Sequence, residues 1–246
     1  MKTRLDKLLV ERGLAASRER AQSLILAGRV LVNAQKVEKA GASVETDANI
    51  RMLGGDLKYV SRGALKLEKA LDHWSIAVAG RTCLDVGAST GGFTDCLLQR
   101  GAARVIAVDT GYGQMDLRIR QDPRVVLLEK TNARYLKRED LNVEVDFIGM
   151  DVSFISATLV LPAVIQAAFG DDRTGKQLVV LVKPQFEAGR GRVGKGGVVR
   201  DPEVQAEAVD KVRGALQALG CRESDVIESP ITGVEGNREF LLYGVF

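Results

Sequence analysis

The chain has one histidine, three cysteines, five prolines and one tryptophan among 246 residues, and only 5% of it is aromatic. A single histidine excludes the His-rich zinc sets and argues against a Ser-His-Asp triad. Three cysteines cannot all pair within the chain. Cys83 and Cys96 fall in apolar or helical sequence and Cys221 near an expected surface turn, and none has metal-ligand spacing. No metal is therefore expected, and unpaired thiols fit a reducing compartment. Long apolar runs are missing as well. Leu178–Val182 is strand-length, far short of a bilayer span. The charged start Met1–Asp6 is not followed by the apolar core of a signal peptide. A cytoplasmic protein without stable membrane insertion is expected, with carboxylates, lysines and backbone amides as its working groups.

What is present is enough for a sizeable core: 46% hydrophobic against 27% charged residues. The length allows one large domain, or one ordinary domain and a small one. The net charge of +3 is unevenly placed. Residues 1–39 hold nine Lys/Arg and four Asp/Glu, residues 183–200 hold five and one, and the remainder is net acidic. Two basic zones on a weakly acidic body point to a polyanionic partner.

Residues 4–12 read as a short helix with Leu5, Leu8 and Leu9 on one side. Ser17 is placed to cap a second helix carrying the stripe Ala21, Leu24 and Ile25, and Gly28 ends it. Residues 29–33 form a strand, Ala34-Gln35 a tight turn, and residues 36–37 the return; 43–53 add further strand. This α+β unit is expected to end near Gly54-Gly55, giving domains at 1–60, linker included, and 61–246. Ser61 is placed to cap a helix over 62–73, with Leu67, Ala70, Leu71 and Trp74 apolar and Arg62, Lys66 and Lys69 on the polar side. From residue 82, strands near 82–86, 104–109, 125–129, 145–151 and 178–183 alternate with helices near 92–100, 157–169 and 203–219. That alternation predicts a mostly parallel α/β sheet. The final strands, 225–228 and 239–245, are too close for a crossover helix and should be antiparallel edge neighbours.

Asp85-Val-Gly87-Ala-Ser-Thr-Gly91-Gly92 follows a strand and opens a helix, where ligands of open α/β sheets bind. Its glycine spacing is not that of a dinucleotide site. Asp109 ends the second strand, placed to accept both hydroxyls of a ribose, and Asn132 and Asp151 follow the third and fourth. These positions favour a nucleoside cofactor, S-adenosylmethionine before NAD or FAD. Gly189–Gly196 matches the Walker A spacing through Lys195, but Gly196 stands where Ser or Thr would hold magnesium. A mobile basic loop is the better reading.

Lys66, Asp151, Lys183 and Glu239 all fall near strand ends, which makes a shared site geometrically possible. Lys183 follows a very apolar strand, which would favour a neutral base, while a nearby Asp151 would favour the charged form. The spacing leaves that balance open. No strand end supplies a cysteine nucleophile, and Asp151-Val-Ser-Phe154 is not the Asn/Asp-Pro-Pro-aromatic segment of amine methylases. A hydroxyl acceptor matches the Lys/Asp/Lys/Glu set, and an RNA ribose matches the basic zones.

Six ordered motifs carry a family resemblance: SRGALKL at 61–67, DVGASTGGFTD at 85–95, DTGYGQ at 109–114, DVSFIS at 151–156, VKPQFE at 182–187 and GNREFL at 236–241. Together they resemble the TlyA family, which carries a haemolysin label yet is similar to the FtsJ-type ribose methyltransferases. Residues 1–60 resemble the small RNA-binding domain named after the fourth small-subunit ribosomal protein. The resemblance implies a Rossmann-like methyltransferase sheet with an antiparallel last strand, and S-adenosylmethionine-dependent 2′-O-methylation of cytidine in ribosomal RNA. It carries a catalytic tetrad over to Lys66, Asp151, Lys183 and Glu239. Cofactor contacts fall on Gly87, Ser89, Thr90, Gly91, Gly92, Asp109, Asn132 and Asp151. Gly63-Ala64 departs from the paired glycines common in the family, a change of geometry rather than chemistry.

Arg4, Lys7, Arg18, Arg20, Arg29 and Lys36 in the small unit, with Arg62, Arg190, Arg192 and Lys195 beyond it, are the candidate contacts to ribosomal RNA or ribosomal subunits. With so few aromatics in the small unit, phosphate and shape recognition should dominate there. The competing readings are a membrane-active haemolysin and an RNA-binding protein whose methylase fold no longer acts. The first lacks an amphipathic membrane face, and the intact tetrad opposes the second.

Overall fold

The computed structural model describes residues 2–15, 17–26, 28–53, 58–233 and 236–246. The chain divides into two units, Met1–Lys58 and Tyr59–Phe246. Gly54-Gly55, the expected linker, lies outside the described residues.

In the first unit, strand β1 (Lys2–Arg4) leads into helices α1 (Leu5–Glu11) and α2 (Arg18–Leu26). Strands β2 (Val30–Val32), β3 (Gln35–Lys36), β4 (Ser43–Glu45) and β5 (Ile50–Met52) follow. Ser17 Oγ accepts from the Arg20 N–H at 3.2 Å, so the expected cap forms. Leu5, Leu8, Leu9, Ala21, Leu24 and Ile25 are buried together with Val30 and Val32. The strands form two small antiparallel sheets, β1 with β4 and β3-β2-β5. The β2–β3 turn falls on Asn33-Ala34, one residue earlier than expected. Both carry positive φ, 50° and 66°, as a two-residue hairpin turn that follows the strand twist requires.

The second unit opens with α3 (Ala64–His73), followed by β6 (Thr82–Val86), α4 (Gly92–Gln99), β7 (Arg104–Val108), the short α5 (Leu117–Arg120) and β8 (Val125–Leu128). Next come α6 (Arg138–Leu141), β9 (Phe147–Met150), α7 (Leu161–Phe169), β10 (Gln177–Val182), α8 (Pro184–Glu187), α9 (Pro202–Ala218), β11 (Glu223–Glu228) and β12 (Phe240–Val245). Pro162 sits in the first turn of α7, where its missing N–H costs no helical bond.

The sheet order is β11-β12-β10-β9-β6-β7-β8. The five strands from β10 to β8 are mutually parallel, and β12 is antiparallel to both of its neighbours. Alternation along the buried strands sends side chains to two cores. Leu84, Val86, Leu178, Val180 and Val182 meet Leu161, Val164, Ile165, Val212 and Leu216 from α7 and α9. Cys83, Val179 and Leu181 meet Leu67, Leu71, Phe93 and Leu97 from α3 and α4. Each fully buried leucine is worth about 1.5–3 kcal/mol of transfer free energy, so both layers are strongly specified.

Two local expectations change. Helix α3 starts at Ala64 after the cap residue Gly63, with Ser61 two residues too early to cap it. Lys66 is 8% exposed, not on the polar face with Arg62 and Lys69, because that part of α3 is covered by Glu239. Cys221 follows the turn at residues 219–220, as expected, with its side chain buried close to Gly244 of β12.

Candidate active site

The strand order reverses between β6 and β9, and a crevice opens at their carboxyl ends, as it does at switch points of open α/β sheets. A cavity of about 480 Å³ lies there. It is lined by Gly87, Ser89, Asp109, Asn132 and Asp151 among others, with an apolar floor including Val86, Val108, Val152 and Ile155. Main-chain pairing holds the rim in place. The Gly87 N–H donates to Val108 O at 2.9 Å, and the Asp151 N–H to Val86 O at 2.9 Å. Gly87 has φ 86°, and a Cβ there would collide with the Asp151 carbonyl oxygen. Asp109 accepts from the Ser89 N–H at 2.7 Å and the Gly111 N–H at 2.6 Å, which fixes its carboxylate at the rim. The residues fit a nucleoside-type cofactor: a fixed acid for a ribose diol, an amide side chain at Asn132 and an apolar floor for a base.

Thr90, Gly91 and Gly92 do not line this cavity. Gly91, at φ 91°, caps α4, and Gly92 lets the 61–64 turn approach α4, since a Cβ would collide with Ser61 Oγ. The two glycines therefore serve helix geometry and packing in this structure.

Lys66, Asp151, Lys183 and Glu239 come together from α3, the end of β9, the end of β10 and the entry to β12. Glu239, 3% exposed, accepts from Lys66 Nζ at 2.6 Å. Lys66 Nζ lies 3.6 Å from Asp151 Oδ2, and Asp151 Oδ1 lies 2.6 Å from Lys183 Nζ. The result is one alternating file of charge, Glu–Lys–Asp–Lys, which meets the cavity wall at Asp151. Each buried charge has an opposite neighbour, as burial of charge demands. Lys183 also donates to Ser153 Oγ at 2.6 Å.

Four further residues had no spacing signal of their own. Ser153 and Phe154 line the cavity beside Asp151, with Phe154 at φ 65° and 91% exposed. Asp85, fully buried at the end of β6, accepts from Thr94 Oγ1 at 2.6 Å, and burial pushes its carboxyl up to about 7. Asn237, 3% exposed, accepts from the Val199 N–H and donates to Gly197 O, both at 3.0 Å. It therefore pins the exit of the 189–200 loop two residues from Glu239. Asp85 and Asn237 each sit inside a quoted motif, and a polar residue in an otherwise apolar or glycine-rich run was the available clue.

Several basic candidates already have acidic neighbours. Arg4 and Arg18 converge on fully buried Asp6, which Arg4 and Arg18, with Gln22, hold well below the usual carboxylate range. Lys7 lies 3.5 Å from Glu11 and Lys36 2.7 Å from Glu38, while Arg192 pairs with Glu207. Arg20 and Arg29 are half-buried, Arg62 and Lys195 are exposed, and the Arg190 side chain lies outside the described residues. Among the described residues no group of acids, histidines and cysteines is placed to hold a metal, and no helix is long and apolar enough to cross a membrane.

Comparison with known proteins agrees with this geometry. The FtsJ-like methyltransferase family matches residues 59–246 and the S4 domain matches residues 3–50. The chain is 49% identical over 243 residues to the 16S/23S rRNA (cytidine-2′-O)-methyltransferase TlyA of Mycobacterium tuberculosis, spanning 98% of this chain and 89% of that protein. It is 42% identical over 241 residues to Hemolysin A of Brachyspira hyodysenteriae, spanning 98% of each. A solved structure from Streptococcus thermophilus, provisionally named a hemolysin, superposes with a TM-score of 0.77 at 40% identity, covering 99% of this chain and 88% of that one.

Proposed function

Because the chain belongs to the FtsJ-like methyltransferase family, with an S4 domain ahead of the catalytic unit, we propose that it methylates the ribose 2′-OH of cytidine in ribosomal RNA. It is a methyltransferase, and S-adenosylmethionine is its cofactor. The acceptor is read from the curated relative, whose name states cytidine-2′-O-methylation of 16S and 23S rRNA. The observation that carries the reading is the Glu239–Lys66–Asp151–Lys183 file, which meets the cavity at Asp151.

Gly87, Ser89, Asp109, Asn132 and Asp151 hold the cofactor, which supplies a methyl group already activated on a sulfonium. Asp109 takes the ribose diol, and Asp151 places a negative charge near the sulfonium. Lys183 orients the acceptor hydroxyl or takes its proton as the methyl–oxygen bond forms. Asp151 holds Lys183, while Lys66 and Glu239 complete the charge pairing and place the acceptor ribose. Arg20, Arg29, Arg62 and Lys195, with the partly paired Arg4, Lys7, Arg18, Lys36 and Arg192 and with Arg190, supply phosphate contacts to ribosomal RNA or subunits. Such an enzyme works in the cytoplasm.

A methylated-nucleoside map of ribosomal RNA from cells with and without the protein tests this directly, since it reports acceptor atom and position together. A 2′-O-methylcytidine that disappears with the gene is expected. An unchanged map overturns the assignment. In vitro, Lys183→Ala should abolish transfer and leave cofactor affinity within about twofold, because Lys183 is not part of the cavity wall that holds the cofactor.

A further inference from the structure

In the reading above Lys183 faces the acceptor hydroxyl, and where it orients that hydroxyl as an ammonium it must point one N–H at the acceptor oxygen. A lysine side chain has four rotatable bonds, and a single ion pair leaves it free to turn about the Nζ–oxygen axis. In this site the turn is stopped by a hydrogen bond. Lys183 Nζ lies 2.6 Å from Asp151 Oδ1 and donates at 2.6 Å to Ser153 Oγ. Both oxygens come from one short segment, the turn that leaves β9. Asp151 Oδ1 makes its ion pair without a hydrogen bond, so the Ser153 bond is the one that assigns an N–H direction; with the Cε–Nζ bond in place, fixing one N–H of a tetrahedral ammonium fixes the other two.

The segment carrying Ser153 is itself held. Phe154, the next residue, has φ 65°, a left-handed conformation that costs a bulky aromatic residue of order 1 kcal/mol or more. Burial does not compensate, because the side chain is 91% exposed. Its ring instead lies 5.4 Å from that of Phe186, on α8, which follows Lys183 directly. The 151–156 turn and the 183–186 segment therefore meet twice, through the Lys183–Ser153 hydrogen bond and through the ring pair. Ser153 is also exposed and lines the cavity. A hydroxyl whose oxygen accepts from Lys183 keeps its own proton to donate.

Resting on the methyltransferase reading above, we infer that Ser153 is a positioning residue: its Oγ takes one N–H of the ammonium that the Asp151 ion pair holds in place, and so aims another Lys183 N–H at the acceptor hydroxyl. The alternative use of the same contact is a placeholder, in which Ser153 fills the acceptor's position and must be pushed aside. The two make opposite kinetic predictions. A positioning residue acts in the transition state and supports kcat. A placeholder competes with the acceptor, and removing it lowers KM or raises the rate.

Steady-state kinetics of the full-length protein on ribosomal RNA that it methylates decide the matter, with Ser153→Ala, Ser153→Thr and Lys183→Ala compared. Ser153→Ala should lower kcat about tenfold to a hundredfold, the usual consequence of deleting a hydrogen bond to a charged group. KM for RNA and the cofactor Kd should stay within about twofold, and Ser153→Thr, which keeps Oγ, should recover most of kcat. A kcat unchanged or raised in Ser153→Ala overturns the inference, as does a rise in KM at constant kcat. Thermal unfolding of each variant separates misfolding from either result, and failure of Ser153→Thr to recover kcat while folded also counts against it. If Lys183→Ala is inactive while Ser153→Ala retains full kcat, only this inference fails. If Lys183→Ala is active too, the catalytic reading fails with it.

Discussion

Asp85 shows how a single buried side chain couples the site to pH. It lies near the end of β6, one oxygen bonded to Thr94 and the other, Oδ1, buried without a hydrogen-bond partner. Burial raises its carboxyl from 3.8 to about 7, with Asp151 and Asp109 adding repulsion. Below pH 3.8 the group is protonated in both folded and unfolded chains. Between about 4 and 7 the unfolded chain releases the proton while the folded chain keeps it, so folding stability falls as pH rises, and the deficit persists above 7. At most this amounts to roughly 4 kcal/mol. Asp85→Asn removes the titration. Its Tm relative to the unsubstituted protein should therefore climb by several degrees between pH 5 and pH 8, and thermal unfolding at the two values checks it. A constant difference would place the ionisation elsewhere.

Between residues and the whole chain, the telling elements are α3, β12 and the 189–200 loop. Helical period alone puts Lys66 beside Arg62 and Lys69 on a polar face. What reverses that placement is Glu239, 173 residues further along the chain. The loop with the Walker-like spacing is likewise governed from a distance. Asn237 fixes its exit through Val199 and Gly197, and Gln205 Nε2 donates to the Val199 carbonyl at 2.8 Å. The last residues of the loop are therefore held by hydrogen bonds from outside it. Asn237→Ala strands the buried Val199 N–H, a cost of about 1–3 kcal/mol, while the carbonyl of exposed Gly197 is free to bond water. The expected outcome is weaker RNA binding with cofactor affinity held within about twofold, measured by filter binding and calorimetry. Equal loss of both affinities would mean that Asn237 supports the cavity rather than the loop.

At the scale of the molecule, the two units have separate cores: Leu5, Leu9, Ile25 and Val30 pack in the first, while the layered sheet of the second carries its own. Cofactor chemistry and the charge file lie wholly in residues 59–246, whereas the longer of the two basic zones, with nine Lys/Arg against four Asp/Glu, lies in the first 39. Residues 59–246 produced alone should bind S-adenosylmethionine normally and bind ribosomal RNA more weakly, with a shallower dependence of affinity on salt, since fewer phosphates are neutralised. Titration across a salt series reads both quantities. Unchanged RNA affinity would remove the small unit from recognition.

Much of this was legible along the chain. The Ser17 cap, the Asp109 and Asp151 strand ends, the alternating strands and the antiparallel final pair follow from hydrogen-bonding chemistry and side-chain period, which act over a few residues. The turn at Asn33-Ala34 was missed by one residue because φ > 0 at a non-glycine pair leaves only a weak mark in sequence. The burial of Lys66, the Lys183–Ser153 contact and the pin at Asn237 required the folded chain. Each depends on the distance between groups far apart in sequence, and only sheet order and helix packing set such distances. The amino-acid sequence by itself determined the elements, the cofactor crevice and the residue types available for chemistry. Tertiary structure decided which charges face one another, because pairing energies fall with separation and only the packed sheet brings those groups within hydrogen-bond reach.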